Sequence, residues 1–320
     1  MKESNNSALP QKRVTAWSRF KANKELLLLS LPGGIWFLIF AYLPMFGILI
    51  AFQEYRPEKN FLLSVLNSKF VGFKNFEFLF KSGDMWIIFR NTIGYNLLFI
   101  ILGIVLPITV AMLLNELRNH GAVKVYQSMM FLPYFLSWVV VSYCLYAFLS
   151  PEKGYVNGIL QSMGGKGISW YTEPKYWPFI IIFMSQWKAV GYGTVVYLAS
   201  ICGIDKSYYE AAMIDGASKF QQIKYITVPL LKPVMIIMFI TSIGGMFRGD
   251  LGLFYQLPKD SGALYPVTNV IDTYVYRGLM NLGDIGMSSA ASLYQSFVGL
   301  ILIVTSNAIV RKVDEENAFF

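Results

Sequence analysis

The stretch Gly203-Ile-Asp-Lys-Ser-Tyr-Tyr-Glu-Ala-Ala-Met-Ile-Asp-Gly-Ala-Ser-Lys-Phe-Gln-Gln-Ile-Lys-Tyr-Ile-Thr-Val-Pro229 decides how this 320-residue chain is read. Its local chemistry is that of a short helix, a break and a second short helix. Ser207 and Glu210 stand at capping-box spacing, in which the serine satisfies an exposed backbone donor and the glutamate reaches back. Asp205 is a rival N-cap. Ala211 and Ala212 favour helix and let another surface come close to the backbone. Gly216 suits a helix stop, because glycine takes the left-handed conformation without steric penalty. Pro229 suits the first turn of the next helix. Alone, such a segment reads as an amphipathic connector held by its own caps. Its flanks say more, since an apolar run ends near Ile201 and another begins at Val228.

Outward from this loop the apolar pattern recurs along the chain. Stretches at about Leu26–Phe52, Ile93–Leu114, Val125–Leu149, Trp177–Ile201, Val228–Phe247 and Ser288–Val310 each approach or exceed the roughly 20 helical residues that cross a hydrocarbon core. Hydrophobic residues make up 55% of the sequence and charged ones 14%, against about 25% charged in a soluble domain. That deficit leaves too few charges to cover a globular surface, so much of the surface is expected to face lipid. The expected fold is an all-α integral membrane protein with about six transmembrane helices. Pro32, Pro44, Pro107, Pro133, Gly191 and Gly193 lie inside these runs. Lipid cannot satisfy the backbone groups that such residues free, which favours a packed bundle around a path.

Before the first run lies a basic segment holding Lys2, Lys12, Arg13, Arg19, Lys21 and Lys24. Beside an apolar span, and without a repeating pattern of stacking aromatics, it reads as a cytoplasmic anchor on anionic lipid and not as a nucleic-acid site. The first run is too long for the core of a signal peptide and is read as an uncleaved span. With this cluster included, Lys and Arg are nearly balanced between the two sides, and the longer outer loops carry little orienting weight. The cluster before the first span therefore sets the orientation, with both termini cytoplasmic in a multi-pass protein of the cell membrane. The organisation expected is a cytoplasmic tail over residues 1–25, a transmembrane domain over 26–312 with the cytoplasmic loop 203–229 inside it, and a cytoplasmic tail over 313–320.

Several chemistries lack their residues. Cys144 and Cys202 fit no disulfide framework or zinc spacing, and His120 is the only histidine, read as a solvated loop residue. No H-E-x-x-H, no G-x-S-x-G and no G-x-x-x-x-G-K-[ST] occurs; Gly164-Gly-Lys-Gly167 is too short for the last. We therefore expect no catalytic residue, no metal and no cofactor bound by this chain. Any ATP-driven step must take ATP and Mg on a partner.

With Glu210-Ala211-Ala212, Gly216, Ile226 and Val228-Pro229 at their fixed offsets, the 203–229 segment resembles the cytoplasmic EAA loop of binding-protein-dependent ABC importer permeases. Val228 stands where that family usually has Leu. Asp215-Gly216-Ala217 resembles the sugar-importer form of the loop. Tyr42-Leu-Pro-Met-Phe-Gly47, Val71-Gly-Phe-Lys-Asn-Phe76, Arg90-Asn-Thr92, Leu113-Leu-Asn-Glu116, Leu132-Pro133, Ser137-Trp138 and Asp272-Thr-Tyr-Val-Tyr-Arg277 resemble permeases for complex oligosaccharides. The resemblance implies the transmembrane domain of a type I importer. Its partners would be a second, similar permease, two ATP-binding cassette ATPase subunits and an extracellular solute-binding (lipo)protein, with an oligosaccharide as substrate. It also implies that Glu210, Ala211, Ala212, Asp215, Gly216, Ile226 and Pro229 belong to a segment that docks in a cleft of the ATPase and transmits closure by alternating access. The outer loops, about 54–85, 151–175 and 248–287, would then form the platform for the binding protein.

Polar groups inside spans usually face protein or water. On that ground Asn91, Asn96, Gln186, Trp187, Lys188, Tyr197, Tyr294 and Gln295 are candidate pathway residues, since sugars offer hydroxyls to amides and C–H faces to rings. The alternative is that the aromatics form interfacial belts and the polar groups join helices. Lys188, Arg90 and Arg248 would favour an acidic saccharide. A secondary transporter or channel subunit is the rival function; it calls for internal symmetry or a buried ion-coupling carboxylate, and no acidic residue lies well inside any span.

Overall fold

A computed structural model describes residues 23–78, 83–315 and 318. Most of the basic tail, Lys2 to Lys21, lies outside the described residues, as does part of the C-terminal tail. Two units divide at residues 49 and 50. In the first, α1 (Lys24–Phe37) runs into a wide π turn at Leu38–Tyr42 and then a tight 3₁₀ segment that starts at Leu43. Its large apolar side chains, from Leu28 to Leu49, are almost all exposed. A helix apolar all round is stable only where lipid or other helices cover it.

The second unit opens with a two-residue ribbon, β1 (Gln53–Glu54) and β2 (Lys69–Phe70), antiparallel with Gln53 opposite Phe70 and α2 (Phe61–Asn67) between them. Next come α3 (Met85–Asn115), α4 (His120–Phe135), α5 (Trp138–Leu149), α6 (Tyr155–Ser162) and α7 (Trp177–Cys202). They are followed by α8 (Lys206–Ile214), α9 (Lys219–Gln222) and α10 (Val228–Gly244). The chain closes with α11 (Tyr265–Thr268), α12 (Ile271–Leu282) and α13 (Ile285–Val313). Helix α7 is central, packed along α3 and α4. A Cβ on Gly191 of α7 would lie 2.0 Å from the Met130 carbonyl oxygen of α4, so only glycine admits this approach.

Among the described residues, five segments are long and apolar enough to cross a membrane: 24–52, 85–115, 174–202, 219–244 and 285–312. Two of the six expected spans differ from expectation. The third is not one helix: α4 and α5 meet at 100°. Pro133 offers no N–H to the turn before it, Leu136 is extended, and the Ser137 hydroxyl accepts from the Val140 N–H at 3.3 Å to start α5 afresh. The fifth starts earlier than Val228. Residues Ile223–Thr227 form a π turn that joins α9 to α10 in one helical column, so Pro229 lies within a column and not at a new start. His120 is the first residue of α4, capped by Asn119, and not a loop residue. The connections expected to lie outside hold α2, α6, α11 and α12.

Candidate functional site

At one end of the bundle lies the 203–229 segment. Asp205, extended at φ −62° and ψ 127°, accepts from the Ser207 N–H at 2.9 Å and caps α8. That bond holds the Asp205 carboxyl below its usual range. The expected box of Ser207 with Glu210 does not form; the reciprocal box is at Ser218 and Gln221, at the start of α9. Gly216 ends α8 with φ +78°, while the Ala217 N–H returns to the Ala212 carbonyl at 2.8 Å. This closes the turn on itself and frees its outer face. Glu210, Ala211, Asp215, Gly216 and Pro229 are exposed; Ala212 and Ile226 are half-buried. Beside them Met213, Ile214 and Phe220 are also exposed, Ile214 at 86% and Phe220 at 73%. An apolar patch on a short polar-capped helical turn is the mark of a surface made to be covered.

Contacts that sequence reasoning did not anticipate tie this turn to the bundle. The Tyr209 and Thr227 hydroxyls share a hydrogen bond of 2.9 Å, joining α8 to the π turn. Lys219 of α9 pairs with Glu116, just past α3, at 3.1 Å. Outside the turn, Lys232 of α10 pairs with Asp314, just past α13.

The candidate pathway residues separate into two groups. Asn91, Gln186, Tyr197 and Gln295 are buried within the unit. Asn91 donates to the Pro266 and Asn269 carbonyls at 3.2 and 3.1 Å; Gln295 donates to the Phe247 carbonyl and to Asp272 at 2.8 and 2.9 Å. Tyr197 has no exposed surface, and Tyr294 packs among Phe89 and Phe247. These five, read from sequence as facing a path, are packed inside the unit, and the Asn91 and Gln295 amides bond to backbone of other segments. Two of them, Gln186 and Tyr197, keep a buried oxygen without a partner.

The second group is less buried: Lys188 and Asn96 are half-buried and Trp187 is exposed. Lys188, midway along α7, donates to the Tyr134 carbonyl at 2.8 Å and sits 5.5 and 5.4 Å from the Tyr134 and Trp138 ring centroids. Tyr134 stacks on Tyr192 at 5.2 Å, and the Trp138 indole donates to Asp250 at 2.6 Å. Trp187 is exposed nearby in sequence. Asn96 donates to the Arg248 carbonyl at 3.1 Å, with the Arg248 side chain exposed. An ammonium at mid-span is costly in lipid, so this face meets water or protein. Tyr134 and Trp138 were missed as partners of Lys188, as were Tyr192 and Asp250, which hold those two rings; the signal was the Pro133–Ser137 pair, which breaks the helix beside it.

The profile of the family "Binding-protein-dependent transport system inner membrane component" matches residues 103–315. "Protein LplB" of Bacillus subtilis is 34% identical over 96% of this chain and 95% of its own length. The "Polygalacturonan/rhamnogalacturonan transport system permease protein YteP" of the same organism is 33% identical over 97% of this chain and 94% of its own. Among solved structures, a chain of a bacterial ABC transporter "involved in the import of the acidic polysaccharide alginate" superposes with a TM-score of 0.83 at 30% identity, over 93% of this chain and 99% of that one.

Proposed function

The chain belongs to the family of binding-protein-dependent transport system inner membrane components, and from that premise we propose that it is one permease subunit of an ATP-driven oligosaccharide importer. The observation that carries the reading is the exposed apolar turn at Met213, Ile214 and Phe220, set beside Glu210 and braced to the 219–244 column and to the end of α3. Such a surface suits a cleft on an ATPase. Motion imposed on α8 passes through the Tyr209–Thr227 bond into the 219–244 column and through Lys219–Glu116 into α3.

This chain has no phosphate-binding loop, so ATP and Mg belong to two partner ATPase subunits. The open face around Lys188, Tyr134, Trp138 and Asn96 supplies half of a water-filled path. A second, similar permease supplies the other half, and an extracellular solute-binding protein delivers the sugar. In this reading the loop 203–229 and both termini are cytoplasmic. The sugar assignment is supported by the names of the relatives, which cover polygalacturonan, rhamnogalacturonan and alginate.

The direct test is co-purification from membranes in mild detergent. Wild type brings down the ATPase, and Ile214→Asp with Phe220→Asp loses it while the second permease stays bound. Retention of the ATPase by the double variant overturns the proposed docking surface.

A further inference from the structure

The motif Asp272-Thr-Tyr-Val-Tyr-Arg277 is left unused by the transport reading so far. It lies on α12, at the end of the bundle opposite the 203–229 turn. The separation is that of α3, whose 31 residues span about 45 Å. Arg277 is fixed there from three sides. Its Nε donates to Asp260 at 2.8 Å, its Nη1 donates to the Asn269 side chain at 2.9 Å, and its guanidinium lies 3.9 Å from the Tyr265 ring centroid. Its Nη2 is buried without a hydrogen-bond partner. A buried donor left unpaired is unfavourable.

Arg277 forms part of the wall of an open pocket of about 330 Å³, together with Asp84, Tyr265, Asn269, Tyr274 and Asn281 and the apolar Leu282 and Met287. Asp84 precedes the first turn of α3, yet its side chain caps nothing; Asn281 is exposed on the rim. The lining therefore combines a carboxylate, amides, an arginine and two tyrosine rings with the apolar side chains of Leu282 and Met287. Hydroxyl groups, which donate and accept at once, satisfy that mixture, and C–H faces of a sugar ring cover tyrosine. Charge selects among ligands. Asp260 already balances Arg277, and Asp84 adds an uncompensated negative charge, which disfavours a second carboxylate.

We propose that this pocket is a saccharide subsite on the face opposite the coupling turn, taking a neutral, hydroxyl-bearing glycosyl unit before it enters the path. The proposal rests on the transport reading for its saccharide supply. An acidic peg from the binding protein is the competing occupant, and the charge balance argues against it.

The test uses this chain within its purified complex in lipid nanodiscs, without binding protein. The probes are maltopentaose and a galacturonate pentamer, read by saturation-transfer NMR. Wild type should transfer saturation to maltopentaose and several-fold less to the galacturonate. Asn281→Trp, which fills the pocket from an exposed rim position, should cut the maltopentaose signal at least fivefold with the complex intact by gel filtration. Asp84→Leu should weaken it as well. No transfer in wild type, equal transfer in both variants, or a stronger galacturonate signal overturns the proposal. So does loss of binding-protein docking in Asn281→Trp with the saccharide signal unchanged. Failure of the transport reading looks different: no ATP-coupled uptake of any saccharide, with the pocket signal intact.

Discussion

Lys188 reaches from the middle of α7 to the carbonyl of Tyr134 at 2.8 Å, in the last turn of α4 before the chain bends through 100° into α5. The bend leaves carbonyls of α4 without helical partners at membrane depth, and an ammonium answers one of them. Lys188→Met removes that donor and should destabilise the α4–α5 corner by about 1–3 kcal/mol. Lys188→Gln keeps a donor without the charge and should lose less. Thermal unfolding in detergent, followed by Trp138 and Trp187 fluorescence, separates the two; equal stability of all three proteins refutes the role.

Tyr209→Phe removes one hydroxyl from a half-buried contact and leaves the ring in place. The fold should hold, at a cost of about 1 kcal/mol. ATP hydrolysis by the reconstituted complex should persist while solute moved per ATP falls several-fold. An unchanged ratio of transport to hydrolysis counts against the brace.

At Gly216 the backbone sits at φ +78° with open space where a Cβ would go. The cost of Gly216→Val is therefore conformational, of order 1–2 kcal/mol, and local to the turn. Membrane insertion should be normal and hydrolysis uncoupled from uptake. Gly216→Asn, which tolerates the left-handed region, should retain part of the coupling. Normal uptake by the valine variant refutes the assignment.

Burial on α12 pushes the Asp272 carboxyl above its usual range, with the hydrogen bonds from the Gly249 N–H and the Gln295 amide and the nearby Arg248 charge opposing the shift. A folded-state pKa above the unfolded one means that the folded chain holds the proton more tightly. Stability is therefore greatest at low pH and falls as pH rises from the unfolded value through the raised one. Each unit of upward shift costs about 1.4 kcal/mol once the group is ionised. Asp272→Asn keeps an acceptor oxygen and should abolish this part of the pH slope. Melting temperatures of the two proteins between about pH 4 and 8 give the comparison; parallel curves exclude the effect.

The membrane-spanning segments were legible because lipid imposes one demand, an apolar run of sufficient length, on every one of them. The corner at Leu136 was not. Hydropathy measures transfer into lipid and carries no direction, so a run that turns reads like one that does not, and Pro133 gave the only hint. The start of α8 went to Asp205 over Ser207 because the extended backbone at Asp205 aims its carboxylate at the Ser207 N–H, a matter of dihedral angles. The turn at Gly216 was readable from spacing, since only one residue type fits there without strain. Of the candidate pathway residues, the rule that polar groups avoid lipid found those that leave the lipid face. It does not separate a polar group that lines a path from one that meets a neighbouring backbone, as Asn91, Asn96, Lys188 and Gln295 all do. Tyr134 and Trp138 were overlooked because rings in apolar runs look alike until a cation settles between them.

The wide turn at Ile223–Thr227 accommodates one residue more than an ordinary helical turn. If that extra residue were absorbed, everything beyond it in α10 would rotate by about 100° and slide by about 1.5 Å. A pull at the foot of this column can therefore be delivered as a twist at its top, a screw thread cut into the backbone itself and needing no hinge.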